Sequence, residues 1–182
     1  MLDELIYALS KDPFNPQLNF NVAIEYEKQN QLASAVSFYL RTAEYGAEND
    51  DLYVYTSLLK LAKCFNEQND RIGTVENCLM QAMAYQPNRP EAFFLLSQFH
   101  ERQGNWRKVY AYARIGQNVD ALQEPLPADI GYVDYGLEFE EAVSGWWLGR
   151  RDESIAIFNE LLTLDITDEY RQSIEANLAI IV

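Results

Sequence analysis

Apolar residues recur every three or four positions along most of the chain, which is the period of an amphipathic helix. Four segments repeat one longer pattern, in which two apolar stripes flank a short turn: residues 19–43, 57–83, 92–116 and 138–162. The first stripe of each segment has a small residue near its middle, where two helices can approach closely: Ala23, Ala62, Ser97 and Ala142. The pattern predicts four helical hairpins in tandem, and it contains no alternation of strands and helices.

The turn inside each hairpin holds a residue that tolerates a left-handed backbone. These residues are Asn30, Asn69, Gly104 and Gly149. Two of the second stripes also pair a small residue with an aromatic ring four positions later, Ala35 with Tyr39 and Ser154 with Phe158. Residues four apart lie on one face of a helix, so each pair is expected to face the first helix of its hairpin.

These spacings resemble those of the tetratricopeptide repeat, a helix–turn–helix unit that stacks into a solenoid. The resemblance implies an all-α fold, an α-solenoid of about four degenerate hairpins with flanking single helices. The turn residues lie 39, 35 and 45 positions apart, whereas the standard repeat spans about 34 residues. The additional residues are therefore expected in loops between hairpins.

We predict a single helical-repeat domain over residues 1–182. Its hairpins are expected at about residues 16–45, 52–85, 89–119 and 133–164, with a terminal helix at residues 168–181. Pro87 and Pro90 mark the start of the third hairpin, and Pro125 with Pro127 prevents a continuous helix after it, because proline breaks helices. Residues 2–9 read as one further helix before the first hairpin.

The terminal helix has an apolar face and no polar cap after it. The face contains Tyr170, Ile174, Leu178 and Ile181, and Val182 follows. Solenoids usually need polar caps at their ends. We therefore expect either a continuation into a longer protein or packing of this helix on a partner, including self-association through the uncapped helix.

Residues 81–162 resemble a narrower group within the superfamily. The sequence runs from a Pro-x-Arg-x-Glu turn (Pro87, Arg89, Glu91) through a Leu-Pro linker and a tyrosine-rich stretch to a Gly-Arg hairpin turn. This order is similar to the helical repeats that accompany family-2-type glycosyltransferases. The resemblance implies a module associated with glycan assembly. It does not imply sugar transfer by this chain, because such enzymes need an α/β nucleotide-binding domain with carboxylates that hold a divalent metal.

The formal net charge of −14 disfavours negatively charged partners. Nucleic acids and anionic membrane surfaces are poor partners, because they require basic surfaces. The acidity indicates either simple solubility or a basic protein or peptide partner. No apolar run approaches the roughly 20 residues that span a bilayer, and residues 1–12 lack the pattern of a secretion signal. With only two cysteines, the sequence predicts a reduced, cytoplasmic location.

The chain has few residues suited to catalysis or metal binding. His100 is the only histidine, and with Cys64 and Cys78 it is too small a set for a zinc site. The two cysteines are expected to be buried free thiols. Glu138, Glu140 and Glu141 are spaced as a solvated helix face. We therefore predict a chain that is not an enzyme and that needs neither metal nor cofactor.

The first helix of each hairpin lines the concave groove in such solenoids. Helical projection predicts these partner-binding residues: Phe20, Asn21, Ile24, Lys28, Lys60, Lys63, Phe94, Gln98, Arg102, Glu140, Val143 and Trp147. For each aromatic residue, closure of the core is an equally open alternative. The rings of Trp146 and Trp147 project about 100° apart, so one is expected in the core and the other either at the groove or, as an equally open alternative, at the boundary of the core. We expect a non-catalytic scaffold that binds a peptide or protein there, or alternatively the repeat module of a glycosyltransferase.

Overall fold

The computed structural model describes residues 1–46, 51–68, 71–119 and 124–181. These residues form ten α-helices and no strand, which confirms the predicted all-α class. In chain order the helices are α1 Leu2–Lys11, α2 Pro16–Lys28, α3 Leu32–Tyr45, α4 Asp51–Glu67, α5 Ile72–Tyr85, α6 Glu91–Glu101, α7 Trp106–Gln117, α8 Gly136–Trp147, α9 Arg151–Leu161 and α10 Asp168–Ile181.

The predicted turn residues adopt the left-handed backbone that a tight helix–helix turn requires. The φ angles of Asn30, Gly104 and Gly149 are 57°, 66° and 81°. Asn69 and Val182, which also carried predictions, lie outside the described residues. The left-handed turns connect α2 to α3, α6 to α7, and α8 to α9.

The small residues of the first helices are buried where each hairpin closes. Ala23, Ser97 and Ala142 have no exposed surface, and Ala62 is 3% exposed. The helices of each hairpin pack on one another, α2 on α3, α4 on α5, α6 on α7 and α8 on α9. The Ser97 hydroxyl donates a hydrogen bond to the Phe93 carbonyl at 3.0 Å. A hydroxyl is therefore accommodated in this position without an unsatisfied polar group.

The first compact unit comprises Met1–Pro87 and Gln123–Ile130. The Asn15 side chain caps α2 by accepting a hydrogen bond from the Leu18 amide at 3.0 Å. In the core, the Phe20 ring makes edge contacts with Tyr39 and Tyr53. Part of the loop that follows α7 thus belongs to the same unit as α1 to α5.

The second compact unit comprises Asn88–Leu122 and Gly131–Val182. Helix α7 packs on α6 and α8, and α8 packs on α9. Helix α10 joins the last hairpin through a cluster that includes Phe158, Leu161 and Ile174. Tyr170 and Leu178 pack against the same cluster, so most of the apolar face predicted for α10 contacts its own chain. The single-domain organisation remains a prediction.

Glycine at position 136 permits close contact between α8 and α6. A Cβ atom there would overlap the buried ring of Phe94, whose Cδ2 would be 3.0 Å away. We expect Gly136→Ala to lower the free energy of unfolding by about 1–3 kcal/mol, as overpacked cores do. Urea denaturation would measure this change.

Gly73 is a matched control in α5 because a Cβ there meets nothing within 4 Å. Gly73→Ala should leave stability unchanged or raise it by up to about 1 kcal/mol, and equal losses in both variants would contradict the steric explanation.

Candidate functional site

The first helices of the hairpins form one face in each unit. We call the surface of α2 and α4 the first-helix face of unit 1. We call the surface of α6, α8 and α10 the first-helix face of unit 2, since α10 follows the second helix of the last hairpin. The predicted groove residues are described on these two faces separately.

Two predicted groove residues are core residues instead. Phe20 and Phe94 are each only 1% exposed. Each lies three positions before the small residue of its helix, Ala23 or Ser97, and positions three apart share one helix face. The rings therefore point towards the second helix of the hairpin rather than away from it. For these two residues the alternative of core closure is correct.

The remaining predicted residues differ in accessibility. Lys60 and Glu140 are buried, at 6% and 2% exposure. Those accessible wholly or in part are Asn21, Ile24, Lys28, Lys63, Gln98, Arg102, Val143 and Trp147. Their contact with a partner remains a prediction.

The tandem tryptophans have different environments. Trp147 is 60% exposed, and its ring stacks on Trp106 with centroids 5.1 Å apart. Trp146 is half-buried, with the Arg151 guanidinium 4.4 Å above its ring. Both rings line a cavity of about 220 Å³ with Val143. This cavity is separate from the one that contains Glu140.

The first-helix face of unit 1 contains a largely buried carboxylate with a full set of partners. The Glu27 Oε1 atom lies 3.2 Å from the Lys60 ammonium and 3.5 Å from that of Lys63. The Tyr39 hydroxyl donates a hydrogen bond to its Oε2 atom. Burial alone would raise the pKa of Glu27, but these partners outweigh burial and hold the pKa below its usual value. Glu27 is thus a compensated anion.

Part of the same face lies against the protein's own loop. Ala128 and Asp129 form one wall of a cavity of about 290 Å³. The other walls come from α2 and α4, through Ile24, Glu27, Lys28 and Lys60. Three of the predicted partner-binding residues of unit 1 therefore line a space that the chain itself partly encloses.

The first-helix face of unit 2 contains a cavity of about 340 Å³ to which three helices contribute. It is lined by Gln98 and Glu101 of α6, Phe139 and Glu140 of α8, Glu169, Tyr170 and Ser173 of α10, and Gly131. Three of these eight residues are acidic, and none is basic. The cavity is therefore an acidic site with aromatic walls.

Glu140 is the buried acid of this cavity. Its Oε2 atom is buried and has no hydrogen-bond partner among the described residues. Burial, followed by the nearby Glu101 carboxylate, raises the pKa of Glu140 to about 8, although Arg102 lowers it in part. Burial also raises the pKa of Glu101, and Arg102 again opposes the rise. At neutral pH the Glu140 side chain is mostly protonated.

The prediction of a solvated acidic face on α8 is wrong for two of its three members. Glu140 and Glu141 are 2% and 3% exposed, because α8 packs against α6, α7 and α9. Glu141 lines a second cavity, of about 520 Å³. There the Arg114 Nη1 atom and the Gln117 Nε2 atom donate hydrogen bonds to its two oxygens at 2.8 and 2.7 Å. Glu141 is thus paired, unlike Glu140. Glu138 lines the same second cavity, and its buried Oε2 atom has no hydrogen-bond partner among the described residues.

The histidine and the two cysteines considered for catalysis or metal binding are buried. His100 is 1% exposed and stacks on the Tyr112 ring with centroids 5.6 Å apart. Cys64 and Cys78 are buried free thiols, and burial raises the pKa of Cys64 to about 12. Within the described ranges, no group of three or more His, Cys, Asp or Glu residues is arranged to hold a metal ion. No helix in the described part of the chain has the length and apolarity needed to cross a membrane.

No family model and no curated protein sequence matches the chain. Solved structures of helical-repeat proteins do match it. A crystal structure of MamA aligns with a TM-score of 0.67 and 14% identity, over 94% of this chain and 87% of that one. TTC0263, a tetratricopeptide repeat protein of Thermus thermophilus, aligns with a TM-score of 0.63 and 16% identity, over 98% and 89%. At these identities the likeness is one of fold, so the chain has the tetratricopeptide-type α-solenoid fold.

Proposed function

We propose that the chain is a non-catalytic scaffold that binds a protein or peptide partner on the first-helix face of unit 2. The observation that carries this proposal is the acidic cavity between α6, α8 and α10, with the buried carboxyl group of Glu140 in its wall. Helical-repeat proteins present such faces as extended binding surfaces. The net charge of −14 and the acidic lining favour a basic partner over an acidic one. Two buried free thiols agree with a cytoplasmic location.

Site-specific photo-crosslinking in the native host tests this proposal. A photoreactive amino acid at Gln98 or Ser173, which line the cavity, should form a covalent adduct with a partner protein. The same amino acid at Asn159, an exposed position on the second helix α9, is the matched control and should form none. Adducts of equal yield from all three positions, or from Asn159 alone, would contradict binding at the first-helix face.

A second candidate function is the repeat module of a glycosyltransferase, contributing acceptor or partner binding. The observation in its favour is the ordered set of motifs over residues 81–162, from the Pro-x-Arg-x-Glu turn to the Gly-Arg hairpin. The native gene locus provides the test. If this proposal is correct, the open reading frame or its neighbours encode an enzyme of glycan assembly. A locus without one would remove this candidate and leave the scaffold proposal unaffected.

Self-association through α10 is a further part of the partner proposal. Ile180 is 76% exposed and lines the cavity beside Trp146 and Trp147. An exposed apolar side chain next to aromatic rings favours contact with a second copy. We expect wild-type protein to form dimers in sedimentation equilibrium and Ile180→Asp to be monomeric. A monomeric wild type at all concentrations would exclude this mode.

A further inference from the structure

The two units place acids at the same repeat positions of their first helices. Glu27 lies four residues after the small residue Ala23, and Glu101 lies four residues after Ser97. On the next first helix, Lys60 lies two residues before Ala62, and Glu140 lies two residues before Ala142. Glu101 and Glu140 in unit 2 therefore occupy the repeat positions that Glu27 and Lys60 occupy in unit 1, where these two residues form an ion pair.

Each of the three side chains that stabilise the Glu27 carboxylate is replaced by a different residue type at the matching position of unit 2. Lys60 corresponds to Glu140, and Lys63, one residue after Ala62, corresponds to Val143. Tyr39 lies nine residues after the turn residue Asn30, and the residue nine after Gly104 is Ala113. Two ammonium groups and a hydroxyl are therefore exchanged for a carboxylate, an isopropyl group and a methyl group. In consequence, unit 2 holds two acids where unit 1 holds an acid and a base.

We infer that the cavity between α6, α8 and α10 receives the side chain of a lysine from a protein partner, with its ammonium group bound between Glu101 and Glu140. This inference rests on the proposed scaffold function and names the chemistry of the partner. The partner lysine supplies the charge that Lys60 supplies within unit 1. Lys60 is therefore an example of a lysine bound at this repeat position. Its ammonium group lies 3.2 Å from a carboxylate oxygen, and its side chain is 8% exposed.

The rest of the cavity suits a lysine side chain. Phe139 and Tyr170 line it and meet edge to face with centroids 5.0 Å apart. Aromatic walls pack against the four-carbon stem of lysine and attract an ammonium group. Glu169, Gln98 and Ser173 add polar groups that can accept the remaining N–H bonds. The volume of about 340 Å³ admits one such side chain.

Binding should be coupled to the release of a proton. Glu140 has to be ionised to bind an ammonium group. Glu101 of α6 opposes this ionisation, and Arg102, which follows α6, favours it. Glu169 and Tyr170 of α10 also line the cavity. Affinity for a lysine-containing ligand is therefore expected to rise between pH 6 and about 8, as Glu140 loses its proton. The ammonium group of lysine remains charged over this range.

Fluorescence anisotropy with a labelled oligolysine peptide tests the inference. We expect Glu140→Gln and Glu140→Lys to bind at least about tenfold more weakly than wild type, as loss of a charged hydrogen-bond partner does. Glu175→Lys is the matched control, because Glu175 is exposed on α10 and lines none of the cavities described above. It makes the same substitution of lysine for glutamate as Glu140→Lys and should weaken binding by less than about threefold, the loss expected from weaker long-range attraction. Circular dichroism would check that each variant folds.

Several outcomes would overturn the lysine site. One is equal loss in Glu175→Lys and Glu140→Lys, which indicates attraction to the overall charge only. Another is equal affinity for a peptide whose lysines are acetylated. Spermidine binding as tightly as the peptide would assign the cavity to a free amine instead of a protein partner. If oligolysine fails to bind while cross-links from Gln98 persist, the lysine site is wrong and the scaffold function stands. If those cross-links are also absent, both are wrong.

Discussion

Glu140→Gln is expected to be more stable than the wild type at pH 8, by about 2–4 kcal/mol. In the folded protein the pKa of Glu140 is about 8, because the group is buried and faces Glu101. In the unfolded chain its pKa returns to the ordinary value of 4.5. Between these two pH values the folded state holds a proton that the unfolded state releases. Wild-type stability therefore falls as pH rises through this window.

Urea denaturation at pH 5 and pH 8 would measure the effect. The Glu140→Gln variant keeps the shape of the side chain and cannot ionise, so the two proteins should be close in stability at pH 5 and diverge at pH 8. Glu175→Gln, which changes an exposed glutamate on α10, should show no such pH-dependent difference. A gap between wild type and Glu140→Gln that is the same at both pH values would contradict the raised pKa.

Lys60→Met is expected to lower the free energy of unfolding by about 2–4 kcal/mol, since it leaves the Glu27 carboxylate largely buried with fewer partners. The side chains of Lys60 and Glu27 are only 8% and 15% exposed. Glu27 keeps the Tyr39 hydroxyl and the ion pair with Lys63, which limits the loss. The pKa of Glu27 should rise in the variant. Chemical denaturation and NMR titration of the carboxyl group would measure the two effects.

Lys63→Met is the matched control on the same helix. Lys63 approaches the same Glu27 oxygen, at 3.5 Å, but its side chain is 52% exposed. Solvent screens such a pair, so its loss should cost less than about 1 kcal/mol. In the double variant Glu27→Gln, Lys60→Met, much of the loss should be recovered, since no unpaired charge remains. Equal effects of Lys60→Met and Lys63→Met would contradict the burial argument.

The hairpins were predictable from the sequence because local rules determine them. Asn30, Gly104 and Gly149 supply left-handed turns, and a small residue allows the helices of each hairpin to approach. Local rules do not determine which face of each first helix points to the core and which points outward. Phe20 and Phe94 share a stripe with the small residues, and this register, applied consistently, assigns them to the core. Helical projection alone did not separate that stripe from the outward one.

Gln98 and Glu140 are among the predicted partner-binding residues, but the acidic cavity that they line was not predicted, because burial on α8 depends on contacts far apart in the sequence. Glu138, Glu140 and Glu141 look alike in a sequence, and only packing by α6, α7 and α9 distinguishes them. The sequence does contain one indication of the site. Glu101 and Glu140 occupy the same repeat positions as Glu27 and Lys60, so two acids were to be expected where the first unit has an acid and a base. The association of residues 123–130 with unit 1 is also non-local. Proline explains why no helix forms there, but not where the segment lies.

The two units differ in the charged groups of their first-helix faces. Unit 1 satisfies its largely buried acid with its own lysines and partly encloses its first-helix face with its own loop. Unit 2 has the same register, with two acids, and its cavity is lined by α6, α8, α10 and Gly131. A partner that provides an ammonium group would form in unit 2 an ion pair like the one between Glu27 and Lys60 in unit 1. Partner selection by charge would then depend on three exchanges at matching repeat positions, of which lysine to glutamate at Glu140 changes the sign of a charge.

Carbon-13 NMR of the Glu140 carboxyl group, titrated with pH in the free protein and with saturating oligolysine, tests this pairing most directly. We expect an apparent pKa near 8 in the free protein and a clearly lower pKa when the peptide is bound, because an ammonium group favours the carboxylate. A pKa near the ordinary 4.5 in the free protein, or one that saturating peptide leaves unchanged, would contradict a site built to receive a partner's lysine.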